Sequence, residues 1–184
     1  MGRKYTIRNQ LALHFVTFTV VEWIDLFIRN EYRQIIIDSL DYCKQNKGLR
    51  IHAYCIMSSH VHLILSVVVG YKLSDAIRDF KRYTSVKLIR LITENLKESR
   101  RAWLLWMFKK AGQKNSRNSK FQLWQQHNHP IELDTNTMMD QRLNYIHLNP
   151  VVAGLINDPS AWIWSSCADY EKDEVGKLKL HIIQ

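Results

Sequence analysis

His60 and His62 stand two apart in the stretch SSHVHLILS (residues 58–66), at the mouth of an apolar run. Side chains of an extended strand alternate between faces, so both imidazoles project to one side and Val61 to the other. Two neighbouring imidazoles on one face suit a divalent metal ion. The plainer reading is a pair of strand histidines satisfied by backbone or water. Charge adds a second clue: 26 Lys+Arg against 17 Asp+Glu give +9. Such an excess fits a polyanionic partner, nucleic acid before membrane surface, although a basic enzyme of unrelated chemistry would carry it too.

The elements that must hold this pair follow from periodicity. Residues 13–20 (LHFVTFTV) are aromatic and β-branched and predict a strand. Residues 30–47 place Tyr32, Ile35, Ile36, Leu40 and Cys43 on one helical stripe that ends at Gly48. Strands are expected at 49–57 and 60–69, joined by the short Ser58-Ser59 link of an antiparallel hairpin. A helix over 73–95 opens at Ser74 as its cap and buries Ile77, Phe80, Val86, Leu88 and Leu91. Residues 99–111 are apolar and basic, and 112–120 are turn-rich. FQLWQQ (121–126) alternates like a fourth strand, and 135–149 form a helix capped by Thr or Asn and stopped by Pro150.

The order is βαββαβ plus a helix. It predicts an α+β, ferredoxin-like antiparallel sheet with helices on one face, and an extra helix in the C-terminal half. The third strand, carrying His60 and His62, should be central. The 184 residues suit a single domain (1–184), with a basic insertion at 97–120 and a tail from about 157. Cys43, Cys55 and Cys167 are odd in number and lack CxxC spacing, as reduced buried thiols do. No stretch approaches the ~18 apolar residues of a spanning helix, and the first twenty residues lack a secretory pattern.

YCIMSSHVHLIL (54–65) resembles the histidine–hydrophobe–histidine (HUH) block of single-tyrosine transposases, close to MPNHVHLLL. LNYIHLNPVVAGLI (143–156) resembles their second block, near YIHxNPVxAGLV. FKRYTSVKLI (80–89), LWQQHNHP (123–130) and WSSCADY (164–170) are similar to further segments of that family. The similarity covers most of the chain in order, and extends to insertion-sequence transposases and REP-associated tyrosine transposases. A lone HxH is weak; two blocks separated by 145 − 60 = 85 positions are specific.

The resemblance implies a single-stranded DNA transposase and nuclease. Tyr145 is the nucleophile, and His60, His62 and Asn149 hold a divalent metal, Mg2+ or Mn2+, without a nucleotide cofactor. Asn149 follows Tyr145 by four, which puts both on one helix face. The residue before a proline is biased away from helical geometry, so Asn149 is expected on a loosened last turn. His147 points elsewhere on a regular helix and is expected to support a metal ligand from behind or to contact DNA. Attack by a phenol leaves a 5′-phosphotyrosine and a free 3′-hydroxyl, so rejoining is the reverse reaction.

The implied partner is single-stranded DNA with hairpin structure, without membrane association. The location is the bacterial cytoplasm, on the nucleoid when bound to DNA. A homodimer with tyrosine donated across the interface and a monomer both remain open. Phosphate contacts are assigned to Lys81, Arg82, Lys87, Lys109, Lys110, Lys114, Arg117 and Lys120. For Trp103, Trp106, Trp124, Trp162 and Trp164 packing is the default, with Trp124 chosen as a base-stacking residue. Tyr83 is the rival tyrosine, read as a core-edge or DNA-contact residue.

Two other readings stand beside this one. A non-catalytic hairpin-binding protein derived from a transposase would bind structured strands in a salt-sensitive way without cleavage. An unrelated HxH metallohydrolase would release a free 5′-phosphate without needing Tyr145. The chain departs from the family wording where SSH replaces PNH and where VVAG lacks a basic residue after NPV.

Overall fold

The computed structural model describes residues 6–114, 120–172 and 176–182. β1 (His14–Thr19), β2 (Leu49–Ile56), β3 (His60–Val67) and β4 (Ile131–Glu132) form one sheet in the order β2-β3-β1-β4. Each neighbouring pair is antiparallel. The third strand is internal, flanked by β2 and β1, which gives His60 and His62 hydrogen-bonded backbone on both sides. The register sets Thr17 opposite His62 and Thr19 opposite His60.

Alternation divides the sheet into two faces. Val16, Phe18, Val61, Leu63 and Leu65 point into the larger core, against α1 (Asn30–Asn46) and α2 (Leu73–Glu94). Phe15, Ala53, Cys55 and Ile64 point the other way, into a smaller cluster with Ile146 of α4 (Asn136–Val152). The added helix therefore covers the sheet face opposite α1 and α2. A fully buried Phe, Leu or Ile contributes roughly 1.5–3 kcal/mol, so both faces are firmly held. α3 (Arg101–Gln113) sinks Leu104 and Phe108 into the larger core, so this part of the expected basic insertion is built into the fold. All three cysteines are buried and free. Among the described residues no helix is long and apolar enough to cross a membrane.

Several expectations are corrected. FQLWQQ is not a strand: the fourth strand is Ile131–Glu132, and Trp124 makes only an isolated bridge with Val20. The chain does run beside β1 from Trp124 onward, with Gln125 N donating to Thr19 O and Thr17 N to Asn128 O. His129 at φ +43° breaks the ladder before it resumes at Ile131. Ser74 does not cap α2; its N–H is taken by Gln10 Oε1 at 2.9 Å, and Lys72 is the cap residue. Val86 is exposed, while Thr84 and Ile92 are buried in its stead.

Pro150 does not end α4 either. The helix runs on to Val152, where Leu155 N closes on Pro150 O and Gly154 N on Val151 O. Gly154 at φ +70° makes the left-handed exit that this closure requires. Thr135 is the N-cap, its side chain accepting from Met138 N at 3.2 Å.

Candidate active site

β3 delivers His60 and His62 side by side, their ring centroids 4.6 Å apart. Each Nδ1 meets a hydroxyl: Thr17 Oγ1 lies 2.9 Å from His62 Nδ1, and Ser59 Oγ lies 3.1 Å from His60 Nδ1. A proton placed on each Nδ1 satisfies those contacts and leaves both Nε2 lone pairs facing the site. Burial lowers the His62 pKa to about 3, helped by the neighbouring His60 and the Arg142 charge. His60 is also lowered by burial, against a hydrogen bond to Asn149 that favours its protonated form. Both rings are neutral at physiological pH, the form that coordinates a cation.

α4 lies across this face. The Tyr145 ring meets the His62 ring at 5.1 Å in a T-shaped contact and the Phe15 ring at 5.9 Å. Tyr145 is 45% exposed, so the phenol is open to a macromolecular substrate. One turn on, Asn149 Nδ2 donates to His62 Nε2 at 3.4 Å. Asn149 sits inside a helix that continues beyond it, and reaches both imidazoles without the loosened turn expected beside Pro150.

The donor set fits a divalent cation in type: two neutral imidazole nitrogens and a carboxamide, whose oxygen replaces its nitrogen on a simple flip. It contains no carboxylate, and among the described residues no group of three His, Cys, Asp or Glu converges.

Sequence reading missed four supporting residues. Thr17 and Ser59 fix the imidazoles; Thr17 is recognisable only once the β1–β3 register is known. Arg142, three before Tyr145, lies with its guanidinium 5.2 Å from the Phe15 ring centroid. Its helical spacing was a usable signal. Trp23, in a T-shaped contact with His60 at 5.4 Å, comes from a turn that no periodicity announces.

Other candidates lie elsewhere. His147 is buried, with Nε2 3.0 Å from Ser166 Oγ and its ring 5.3 Å from Tyr170; burial lowers its pKa to about 4. It ties α4 to the 164–166 segment on the β2 edge, where Ile56 N donates to Trp164 O and Ser166 N to Tyr54 O. Trp124 is only 4% exposed, packs on Phe27 and Phe18, and donates to Thr84 Oγ1 at 2.9 Å, so it offers no face to a base. Trp103 and Trp106, by contrast, are exposed on α3, with the Lys110 amine over Trp106.

Lys81 is drawn inward, donating to Gln125 O at 2.7 Å and Asn128 Oδ1 at 2.6 Å; burial lowers its pKa to about 8. Arg82, Lys109, Lys110, Lys114 and Lys120 are exposed. Lys87 is exposed over Tyr83, in a groove between α1 and α2 on the layer opposite the histidines. Arg117 lies outside the described residues.

The family model described as IS200-like transposase matches residues 8–109, more than half of the chain. The chain belongs to the IS200-like transposase family. Among solved structures, a REP-associated tyrosine transposase bound to a REP hairpin is similar at TM-score 0.64 and 16% identity, over 100% of this chain and 93% of that one. A candidate transposase from Deinococcus radiodurans R1 aligns at TM-score 0.44 and 14% identity, over 84% of this chain and 96% of that one. No curated protein matches the chain. The family match spans β1, β2 and β3 and so includes the histidine pair, while Tyr145 lies beyond it.

Proposed function

We propose that this IS200-like transposase cleaves and rejoins single-stranded DNA beside hairpins through a 5′-phosphotyrosine. The observation that carries the reading is the convergence of the Tyr145 phenol ring and the Asn149 amide on His62, in one chain. The fold likeness to a transposase bound to a REP hairpin supports hairpin DNA as the partner.

In the reaction, Tyr145 Oη attacks the scissile phosphorus. The new O–P bond replaces the P–O3′ bond, the phenolic proton is lost to solvent, and the departing 3′-oxygen is protonated as a hydroxyl. Bond count at phosphorus is preserved, so the 3′-hydroxyl of the same or another strand reverses the step without an external energy source. His60, His62 and Asn149 would hold a divalent cation, Mg2+ or Mn2+, which when bound polarises the phosphate. Thr17 and Ser59 keep the imidazoles turned toward the site. Arg142 adds positive charge beside His62, where a phosphate must sit. Exposed Arg82, Lys109, Lys110, Lys114 and Lys120 would contact phosphates further along the strand.

The test is a denaturing gel of labelled hairpin oligonucleotides with the protein and Mn2+ or Mg2+. A protein-sized shifted band that disappears in Tyr145→Phe, with hairpin binding kept, supports the reading. An adduct that persists in that variant rejects Tyr145. Hairpin binding without any adduct favours the non-catalytic binder, and a free 5′-phosphate product without an adduct favours a hydrolase.

A further inference from the structure

The turn between β1 and α1 carries two consecutive non-glycine residues in left-handed geometry, Glu22 and Trp23, each at φ +54°. L-residues adopt this conformation reluctantly, and such outliers concentrate at functional sites. The turn is anchored on the hairpin that starts β3: Val20 N donates to Ser59 O at 2.9 Å and Phe27 N to Ser58 O at 2.7 Å. The result is an indole held against His60, at 5.4 Å and 75°, yet 60% exposed. A tryptophan selected for packing would be turned inward, as Trp124 and Trp164 are.

Trp23 also lines an open groove of about 620 Å³, with Glu22, Gln122, Gln125, Gln126 and Lys114. Its volume falls within the range of small-molecule sites. One carboxylate and one amine balance its charge, which favours an uncharged ring over a phosphate. The side chains of Gln125 and Gln126 carry amides that both donate and accept, as base edges do, whereas Gln122 Nε2 already donates to Trp124 O at 3.1 Å. The groove adjoins His60 through Trp23, so a strand whose phosphate reaches the histidines has a neighbouring base within reach of the indole.

We infer that Trp23 and this groove form a stacking subsite for one unpaired base next to the scissile phosphate. The inference rests on the proposed DNA reading and adds a residue and a ligand class to it. The indole supplies the aromatic surface, the stacking is sequence-tolerant, and the glutamine amides give it whatever base preference it has.

The experiment is fluorescence-anisotropy binding of the full chain to a labelled DNA hairpin with single-stranded arms, and to the same hairpin with abasic arms. Trp23→Ala should weaken binding to the base-bearing arms by roughly five- to a hundredfold. Abasic arms should weaken the wild type by a similar factor, and the two losses should not add. Trp23→Phe should recover most of the affinity. The inference is overturned if Trp23→Ala binds base-bearing arms like the wild type, or loses the same factor on abasic arms. A wild type that binds no hairpin removes the proposed function as well. One that binds hairpins and forms the adduct while ignoring Trp23 removes only the subsite.

Discussion

The Tyr145 ring lies edge to face with His62 of its own chain, 5.1 Å between centroids, although 83 positions (145 − 62) separate them in sequence. α4 brings the phenol there by packing on the sheet through Ile146, whose neighbours Phe15 and Ile64 flank the His62 row. If Tyr145 is the nucleophile proposed above, its contact with His62 of the same chain lets one protomer supply both groups. Mixing a Tyr145→Phe chain with a His62→Ala chain should therefore restore no adduct. Recovery of adduct in the mixture, which neither chain forms alone, would place the tyrosine across a dimer interface.

The Thr17 and Ser59 hydroxyls meet the imidazoles at Nδ1, the nitrogen turned away from the site, so their effect should be on cation affinity rather than on DNA affinity. Removing such an orienting partner typically weakens metal binding 10–100-fold. Thr17→Val keeps the shape of the side chain and deletes the hydroxyl beside His62 Nδ1. The Mn2+ concentration needed for half-maximal adduct formation should rise about tenfold or more, with hairpin affinity unchanged. An unchanged Mn2+ requirement would mean that Thr17 does not hold the ring.

Arg142 sits one turn before Tyr145 and lowers the His62 pKa through its charge. Arg142→Gln keeps the stem and removes that charge. If the guanidinium neutralises the substrate phosphate, adduct formation should fall on the order of tenfold or more, as for other charge-stabilising donors. Sensitivity of hairpin binding to salt should drop by about one phosphate contact. Adduct yield equal to the wild type would restrict Arg142 to packing on Phe15.

What the sequence made legible follows the two regular periods. Strand alternation set His60 and His62 on one face, and helical spacing did the same for Tyr145 and Asn149. Neither period says which sheet face a helix will cover, so the side on which Arg142 and Thr17 meet His62 needed three dimensions. Composition misled at the tryptophans. Trp124 stands in a polar stretch yet fills the space between Phe18, Phe27 and Thr84, whereas Trp106 stands in an apolar stretch yet faces solvent under Lys110. Pro150 misled because proline's cost is that of a helix interior, whereas here it stands in the last turn, with closure through Gly154 within a turn of it.

Glu98 is an acidic side chain in a basic protein and is only 4% exposed. Burial works against its carboxylate, but Arg100 N–H, Arg29 and Tyr32 together lower its pKa. Arg29 Nε reaches it at 2.7 Å and the Tyr32 hydroxyl at 3.1 Å, which fastens the α2–α3 connection to the start of α1. Glu98→Ala leaves the buried Tyr32 hydroxyl short of its acceptor, while the part-exposed Arg29 rehydrates. A loss of about 2–3 kcal/mol is expected in chemical denaturation, most of it from the orphaned groups. Glu98→Gln should lose less, since it keeps an acceptor. A denaturation midpoint unmoved by Glu98→Ala would show that the connection is held by its apolar contacts alone.

His52 gives the chain an acid limit away from the candidate site. It is buried on β2 with Nε2 2.8 Å from Ser66 Oγ, and burial lowers its pKa to about 4. The unfolded chain takes up this proton near pH 6.5 and the folded chain only near 4, so the unfolded state holds more protons between those values. Its contribution is complete above pH 6.5 and is lost as pH falls toward 4, on the order of 3 kcal/mol in all. His62 and His147, lowered to about 3 and about 4 by the same burial, add losses of the same sign. Stability by urea denaturation should therefore decline steadily below pH 6.5. His52→Gln, which cannot take up a proton, should make that decline shallower while leaving the Tyr145 adduct assay at pH 7.5 unaffected. An equally steep decline in the variant would show that His52 is protonated in the folded chain.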